Sequence, residues 1–278
     1  MRPPSYTSRR TLLNRFVAAG LGSAMPSAVL LRRSDADGAA PEGLSVPEAS
    51  QEATVLDGDT VRLAAGGEVR LAGIEAAKAS LSPKDASLMR LADAAAEHLR
   101  GLLRGGVILR YDRQRGDRYG RKLAQVFAAD GTWLQAAQID AGLARVHGDG
   151  VNRIGLSELL RREAAARSSR LGIWRDPAFA VRDAADVSLK RWAGSFQVVE
   201  GTVAAAATVR DAGYLNFGAD RRTDFTLVVR KPVLGALDPA MVDLSRLAGR
   251  RIRCRGWIDL HDGPSMDLSC PEHLEVEA

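Results

Sequence analysis

The sequence of 278 residues contains few cysteines, few histidines and few aromatic residues. Two cysteines are too few for a disulfide-rich scaffold. The four histidines are far apart and lack zinc-ligand spacing, so no zinc site is assigned. The uncharged run at residues 16–31 is shorter than the roughly 20 apolar residues of a spanning helix, and glycine, serine and proline dilute it. Hydrophobic residues make up 46% and charged residues 26%, which indicates a globular protein rather than a disordered one.

The positive charge is concentrated at the N-terminus. Of the formal net charge of +5, residues 1–40 supply +4, because they hold six arginines and two aspartates. About +1 remains on the rest of the chain. Global charge therefore says little about partners, and an argument for nucleic-acid binding must rest on local patches.

The first 40 residues predict an export signal. Arg9 and Arg10 lie in the twin-arginine pattern SRRTLL at residues 8–13, and the uncharged run follows. We therefore expect a periplasmic or secreted protein. A disordered basic tail is the alternative, and Arg32 and Arg33 after the uncharged run leave an uncleaved membrane anchor open.

The two cysteines flank a turn at residues 261–264 between two strand-like runs. A three-residue loop centred on Asp262 would place Cys254 opposite Cys270, whereas a two-residue turn would send their side chains to different faces. A disulfide and two buried free thiols both remain open.

Short β-branched runs and amphipathic stripes predict the order of elements from residue 53. Three strands are expected at residues 54–56, 60–63 and 69–71, a helix with leucines at 88, 91, 99 and 102, and two strands at 107–111 and 123–127. Helices at about 133–141 and from Leu156 to near Gly172 follow. Three strands, a helix and two strands are the order of the five-stranded OB barrel.

The C-terminal part repeats this pattern, with strand-like runs at 196–203, 214–217, 225–229, 251–258 and 266–268. The fold class is therefore mainly β with helices (α+β), an OB-type barrel plus a second, smaller OB-like β domain. The expected division is a signal segment at 1–40, a linker at 41–52, the barrel at 53–178, a connector at 179–194 and the second domain at 195–278.

Chemistry-bearing residues cluster in three short stretches. Asp57 and Asp59 lie in DGDT at residues 57–60, Arg70 and Glu75 in RLAGIE at 70–75, and Arg121 ends DRYGR at 117–121. Carboxylates can hold a hard divalent cation through oxygen, and guanidinium groups can pair with phosphate oxygens. The set suits a phosphodiester substrate, although each stretch alone could be an ordinary turn or solvated surface.

The order and spacing of these stretches resemble the thermonuclease (staphylococcal nuclease-like) family over about residues 54–174, including LGIW at 171–174. The resemblance implies calcium-dependent hydrolysis of DNA or RNA. It places the metal ligands at Asp59 and Glu75, the phosphate-binding arginines at Arg70 and Arg121, and a nucleotide-binding tyrosine at Tyr119.

The sequence departs from that family at the catalytic loop. Glu75 stands where the family has aspartate, and Lys78 stands where the water-activating glutamate is expected. A protonated lysine cannot accept a proton from water and would repel a nearby calcium ion. Alternatively, its charge could serve the phosphate in place of part of the metal. Two family tyrosines fall at Gly148 and Gly150, which removes an aromatic platform.

Basic residues interleaved with Tyr111 and Tyr119 run from Arg110 to Lys122. This pattern is typical of a groove for single-stranded nucleic acid, and a solvated hairpin face is the alternative. The sequence thus predicts an exported thermonuclease-like phosphodiesterase. Its predicted catalytic residues are Arg70, Arg121 and Lys78, and Lys78 is expected to impair hydrolysis. The alternative is a non-catalytic periplasmic module that binds nucleic acid or protein.

Overall fold

The computed structural model describes residues 40–78, 85–220, 222–237 and 243–277. The predicted export signal lies outside the described residues except for Ala40. No helix in the described ranges is long and apolar enough to cross a membrane.

The first sheet has five strands, in the order β1-β2-β3-β6-β5. Their bounds are β1 Ala53–Asp57, β2 Thr60–Leu63, β3 Glu68–Leu71, β5 Val107–Arg110 and β6 Lys122–Ala128. β3 and β6 are parallel, and the other neighbours are antiparallel. The strands predicted from alternation are all present, and the sheet confirms the expected α+β, OB-type domain.

Residues 45–51, in the predicted linker, run along the outer edge of β5. The amides of Ser45, Glu48 and Gln51 donate to carbonyl oxygens of Tyr111, Leu109 and Val107 at 2.8, 3.0 and 2.9 Å. This segment leads into β1, so it connects the two outer strands of the sheet. The boundary at residue 53 stays a prediction.

Two further short strands form a separate ladder, which the sequence did not predict. These are β4 Ile74–Ala76 and β7 Ala144–Val146, with Glu75 opposite Arg145. Three residues are too few to show an alternating pattern, and the partners lie 70 positions apart. The ladder matters because both residues belong to the candidate site.

The described part of the first domain also contains three α-helices: α1 Ala86–Leu102, α2 Leu134–Asp140 and α3 Leu156–Ser168. Asp85 caps α1 by accepting the amides of Ser87 and Leu88. The buried positions of α1, which include Ala95 and Leu99, lie on the predicted apolar stripe. Gly142, at a φ of 67°, follows α2 and allows the left-handed turn that ends it.

The second domain is a larger sheet in the order β10-β11-β12-β14-β13-β9-β8, with β15 paired to β13. The bounds are β8 Arg182–Asp183, β9 Phe196–Thr202, β10 Ala205–Val209, β11 Ala212–Asn216, β12 Thr226–Arg230, α4 Lys231–Leu234, β13 Arg251–Leu260, β14 Pro264–Asp267 and β15 Leu274–Val276. A second sheet is therefore present, while its independence as a domain and its OB-like identity remain predictions. Its core includes Leu215, Leu227 and Met266.

The hairpin between β13 and β14 has the three-residue loop that would align the cysteines, with Leu260 opposite Pro264 and Asp262 at a φ of 52°. The last pair of this ladder is nevertheless Ile258 with Met266, and β14 ends at Asp267, before Cys270. Cys254 packs in the core of the second domain and Cys270 in that of the first. Both cysteines are buried and free, so the alternative of two thiols applies.

A buried ion cluster joins the two domains. Arg255 on β13 is fully buried, and its guanidinium lies 2.8 Å from Glu163 Oε1 on α3 and 2.6 Å from Glu275 Oε1 on β15. The same Glu163 accepts the amide of Val146 at 2.5 Å. Breaking such a buried pair is strongly destabilising, so the cluster fixes the second sheet against α3 and β7.

Candidate active site at the barrel mouth

The turn from Asp57 to Thr60 connects β1 to β2 and packs tightly against its neighbours. A Cβ atom at Gly58 would lie 2.5 Å from Cβ of Ala95 and 2.7 Å from Cβ of Ala76, so only glycine fits here. The amide of Asp59 donates to Asp57 Oδ1 at 3.0 Å, which shapes the turn. This close packing turns the carboxylate of Asp59 inward, where it is fully buried.

The Asp59 carboxylate is surrounded by donors from four residues. Oδ2 accepts the amide of Ala76 at 2.8 Å, and Oδ1 accepts the hydroxyl of Thr60 at 3.1 Å and Nζ of Lys78 at 2.8 Å. The guanidinium of Arg70 forms a further ion pair with Oδ1. Burial alone would raise the pKa of Asp59, but the charges of Arg70 and Lys78 outweigh it and hold the pKa below its ordinary value.

Lys78 bridges the two aspartates of the DGDT turn. Its ammonium lies 2.8 Å from Asp57 Oδ2 and 2.8 Å from Asp59 Oδ1, and its side chain is 22% exposed. A cation held between two carboxylates is the arrangement expected of a bound metal ion, and here an ammonium from the chain itself occupies it.

Arg70 extends from β3 towards the same turn. Its Nη2 donates to the carbonyl of Ile74 at 2.8 Å and its Nη1 to the carbonyl of Asp59 at 3.3 Å. These contacts fix the guanidinium in place beside the carboxylate of Asp59, and only 13% of the side chain is exposed.

Glu75, the second candidate metal ligand, is engaged elsewhere. Its Oε2 lies 2.8 Å from Nη2 and 3.2 Å from Nε of Arg145. Burial raises the pKa of Glu75, but the charges of Arg145 and His147 oppose it more strongly, so the pKa falls below its ordinary value. The pKa of His147 is also lowered, in this case because burial disfavours its charged form. The negative charge of Glu75 opposes that shift.

Arg145 was not recognised in the sequence, because no local motif marks it. Its Nη1 donates to the carbonyl of Phe196 in the second domain at 2.8 Å. The guanidinium also lies 4.7 Å from the ring centroid of Phe196 and 5.4 Å from that of Phe179. One residue thus holds Glu75 and contacts the second domain.

These residues do not fit a calcium ion. The carboxylates of Asp57, Asp59 and Glu75 are each paired with a cationic side chain, Lys78, Arg70 or Arg145. Three negative and three positive charges balance without a metal. The described residues contain no group of three histidine, cysteine or acidic side chains arranged to hold a metal ion.

Arg121 and Tyr119 lie on the loop between β5 and β6 rather than at the carboxylates. Nε of Arg121 is 2.7 Å from Asp117 Oδ2, whose other oxygen accepts the amides of Tyr119 and Arg121. Arg121 immediately precedes β6, in which Leu123 pairs with Arg70 across the parallel register.

The loop at residues 112–121 exposes an aromatic ring among arginines. Tyr119 is 68% exposed, and the guanidinium groups of Arg118 and Arg121 lie 4.8 and 5.5 Å from its ring centroid. Arg113 and Arg115 are exposed, and no salt bridge between described residues involves them. The loop can therefore offer positive charge and a stacking surface together.

The structure gives a physical reason for the glycines at 148 and 150. A Cβ atom at Gly148 would lie 3.0 Å from Cys270 Sγ, and one at Gly150 would lie 2.4 Å from the carbonyl oxygen of Ser269. Because the second domain packs directly on this segment, no aromatic side chain fits at either position.

Residues 68–176 match the family model described as staphylococcal nuclease homologue. The matched range contains Arg70, Glu75, Lys78, Tyr119 and Arg121, whereas Asp59 precedes it. No curated protein matches this chain.

Proposed function

We propose that this chain is an exported protein that binds single-stranded nucleic acid without calcium-dependent hydrolysis, and the match of residues 68–176 to the staphylococcal nuclease homologue model supports nucleic acid as its partner. The position of Lys78 Nζ, 2.8 Å from carboxylate oxygens of both Asp57 and Asp59, carries this proposal. The family supports an assignment to nucleases and suggests nucleic acid as the partner.

Lys78 opposes calcium-dependent hydrolysis in two ways, by blocking the metal position and by replacing the base. Its ammonium takes the place between the carboxylates, and a divalent ion entering there would add two positive charges to a balanced set. Lysine also cannot act as a base towards the attacking water while it is protonated and held by two carboxylates. Asp57, the more exposed carboxylate, is itself bound to Lys78 and is not free for that role.

Binding is assigned to the basic loop. Residues 110–122 contain six cationic side chains and two aspartates, a net charge of +4, and both aspartates accept backbone amides. Tyr119 supplies an exposed ring on which a base can stack, worth about 1–3 kcal/mol per base. Arg121 lies two residues before Leu123, which pairs with Arg70, so a strand bound to the loop would pass close to Arg70 and the DGDT turn.

The first test measures binding and cleavage of fluorescein-labelled single-stranded DNA and RNA by the full-length protein, with calcium and with EDTA. We expect equal binding in both and no cleavage. The logarithm of affinity should fall with the logarithm of salt with a slope of about −3, which corresponds to roughly four neutralised phosphates. Calcium-dependent cleavage by the unmodified protein would refute the proposal.

Variants separate the loop from general charge. Replacing Arg118 and Arg121 with alanine should weaken binding at least about tenfold. Replacing Arg161 and Arg246, which are exposed and lie outside the loop, removes the same charge and should change affinity less than about twofold. Equal losses in the two variants would place binding elsewhere.

Lys78→Glu tests whether the lysine is the barrier to metal binding. We expect this variant to bind calcium or terbium, as measured by calorimetry and terbium luminescence, whereas the unmodified protein binds neither at the barrel mouth. Lys78→Met removes the charge without adding an oxygen ligand and should give weaker metal binding. Metal binding by the unmodified protein that is lost in Asp59→Asn would contradict the assignment of Lys78.

Export rests on the pattern at residues 8–13. A fusion of residues 1–50 to a reporter that is active only after folded export should be exported, and Arg9→Lys/Arg10→Lys should abolish its export. Export that is insensitive to both substitutions would refute a twin-arginine signal.

A further inference from the structure

The outward face of the second sheet forms a cleft that the barrel chemistry does not use. It has a volume of about 800 Å³. It lies across β10, β11, β12, β14 and β13, on the side opposite the core residues Leu215 and Met266. A cleft of this size falls within the range of small-ligand sites, roughly 300–1,000 Å³.

Two aromatic side chains lie on one row of this face. Tyr214 pairs with Val228, and Val228 with Asp267. Extending the β13–β14 register by one pair beyond Ile258 and Met266 places Trp257 level with Asp267. Three strand spacings of about 4.8 Å therefore separate the aromatic positions by roughly 14 Å. Trp257 is 53% exposed, and the edge contact of its ring with Phe196, at 6.2 Å between centroids, restrains the ring.

The adjacent row consists of hydrogen-bonding side chains. Asn216 pairs with Thr226, Thr226 with Ser265, and Ser265 with Asp259. The hydroxyl of Thr226 donates to Oδ1 of Asn216 at 3.1 Å, and no hydrogen bond among described residues uses Nδ2 of Asn216. The row can thus both donate and accept hydrogen bonds along the floor of the cleft.

The charge of the lining narrows the class of ligand. Arg230 and the aspartates at 259, 262 and 267 line the cleft, a net charge of −2 with His261 counted as neutral. This charge disfavours a polyanion such as nucleic acid. Arg230 already binds Asp267 at 2.9 Å, which disfavours a second cation there. The polar row makes the floor unsuitable for a hydrocarbon.

We propose that this cleft binds a neutral oligosaccharide. Sugar rings stack on Trp257 and Tyr214, and their hydroxyl groups exchange hydrogen bonds with Asn216, Thr226 and Asp259. Sugar hydroxyl groups both donate and accept hydrogen bonds, as do the side chains of the polar row. A neutral oligosaccharide is also not repelled by the aspartates that line the cleft. The proposal is independent of the function assigned to the barrel mouth, because the residues involved do not overlap.

The test is calorimetric titration of the full-length protein with cellohexaose, chitohexaose and maltohexaose. At least one should bind with a dissociation constant below about 1 mM. Trp257→Ala should weaken binding at least about tenfold, and Asn216→Ala about threefold. Leu260 lies at the end of β13 outside the cleft and is as exposed as Trp257, so Leu260→Ala should leave oligosaccharide binding unchanged. Circular dichroism checks that each variant is folded.

Two comparisons make the result decisive. Arg118→Ala/Arg121→Ala should leave oligosaccharide binding unchanged, since the basic loop is a separate site. The proposal is overturned if none of the three hexaoses binds. It is also overturned if an oligothymidylate or a hexa-arginine peptide binds in a Trp257-dependent manner while the hexaoses do not.

Discussion

Glu75 and Arg145 face each other across the ladder of β4 and β7, and the guanidinium of Arg145 also binds the second domain. Its Nη2 lies 2.8 Å from Glu75 Oε2, while its Nη1 lies 2.8 Å from the carbonyl oxygen of Phe196. The second domain therefore helps to fix a carboxylate that the family resemblance would assign to a metal. In this arrangement Glu75 is a structural partner of Arg145.

Arg145→Met should lower the free energy of unfolding by about 3–5 kcal/mol, because it leaves Glu75 buried without its partner. Urea denaturation followed by circular dichroism measures the change. Arg62→Met breaks the exposed pair with Glu68 and should cost less than about 1 kcal/mol. If the two variants lose similar amounts of stability, the buried ion pair of Arg145 with Glu75 does not stabilise the fold as the geometry indicates.

Stability should fall in acid partly because of Asp59. The folded-state pKa of Asp59 is depressed below its ordinary value of 3.8, so its contribution is fully present above pH 3.8. The contribution is lost as the pH falls from that value through the lower folded-state pKa. Unfolding free energies measured between neutral pH and about pH 2 should decline less steeply in Asp59→Asn. Parallel pH profiles for both proteins would show that Asp59 does not contribute.

The buried pair of Arg255 and Glu163 should make the two domains unfold together. Arg255→Met leaves the buried Glu163 carboxylate with Arg167, at 3.1 Å, as its remaining cationic partner among the described residues, and should cost about 3 kcal/mol. Adding Glu163→Gln removes that charge and should restore part of the loss, as judged by calorimetric melting. A double variant as unstable as the sum of the two single variants would mean that the residues are not coupled.

Neither cysteine should react in the folded protein. Burial raises the pKa of Cys270 to about 12, and it raises the pKa of Cys254 further above its ordinary range. Ellman's reagent should therefore label neither thiol in buffer and both in about 6 M guanidinium chloride without reductant. Labelling that requires a reductant after denaturation would indicate a disulfide instead.

Local patterns in the sequence determined the elements of the first domain. The stripe of leucines in α1 and the alternation in β2 and β3 depend on neighbours within a few residues, and each appears where it was expected. The three-residue loop around Asp262 was also among the sequence alternatives, since a hairpin register depends only on its loop length. The residue types of the DGDT turn and of Lys78 likewise carried the family resemblance and the departure from it.

Tertiary structure alone decided how those residues are used. Lys78 reaches both aspartates only because β4 returns beside the turn at 57–60, and Arg145 meets Glu75 across 70 residues of sequence. The cysteines fall into different cores although their register would align them, because β14 ends three residues early. The second domain fills the space beside Gly148 and Gly150. Each of these outcomes depends on long-range packing, which no local pattern in the sequence encodes.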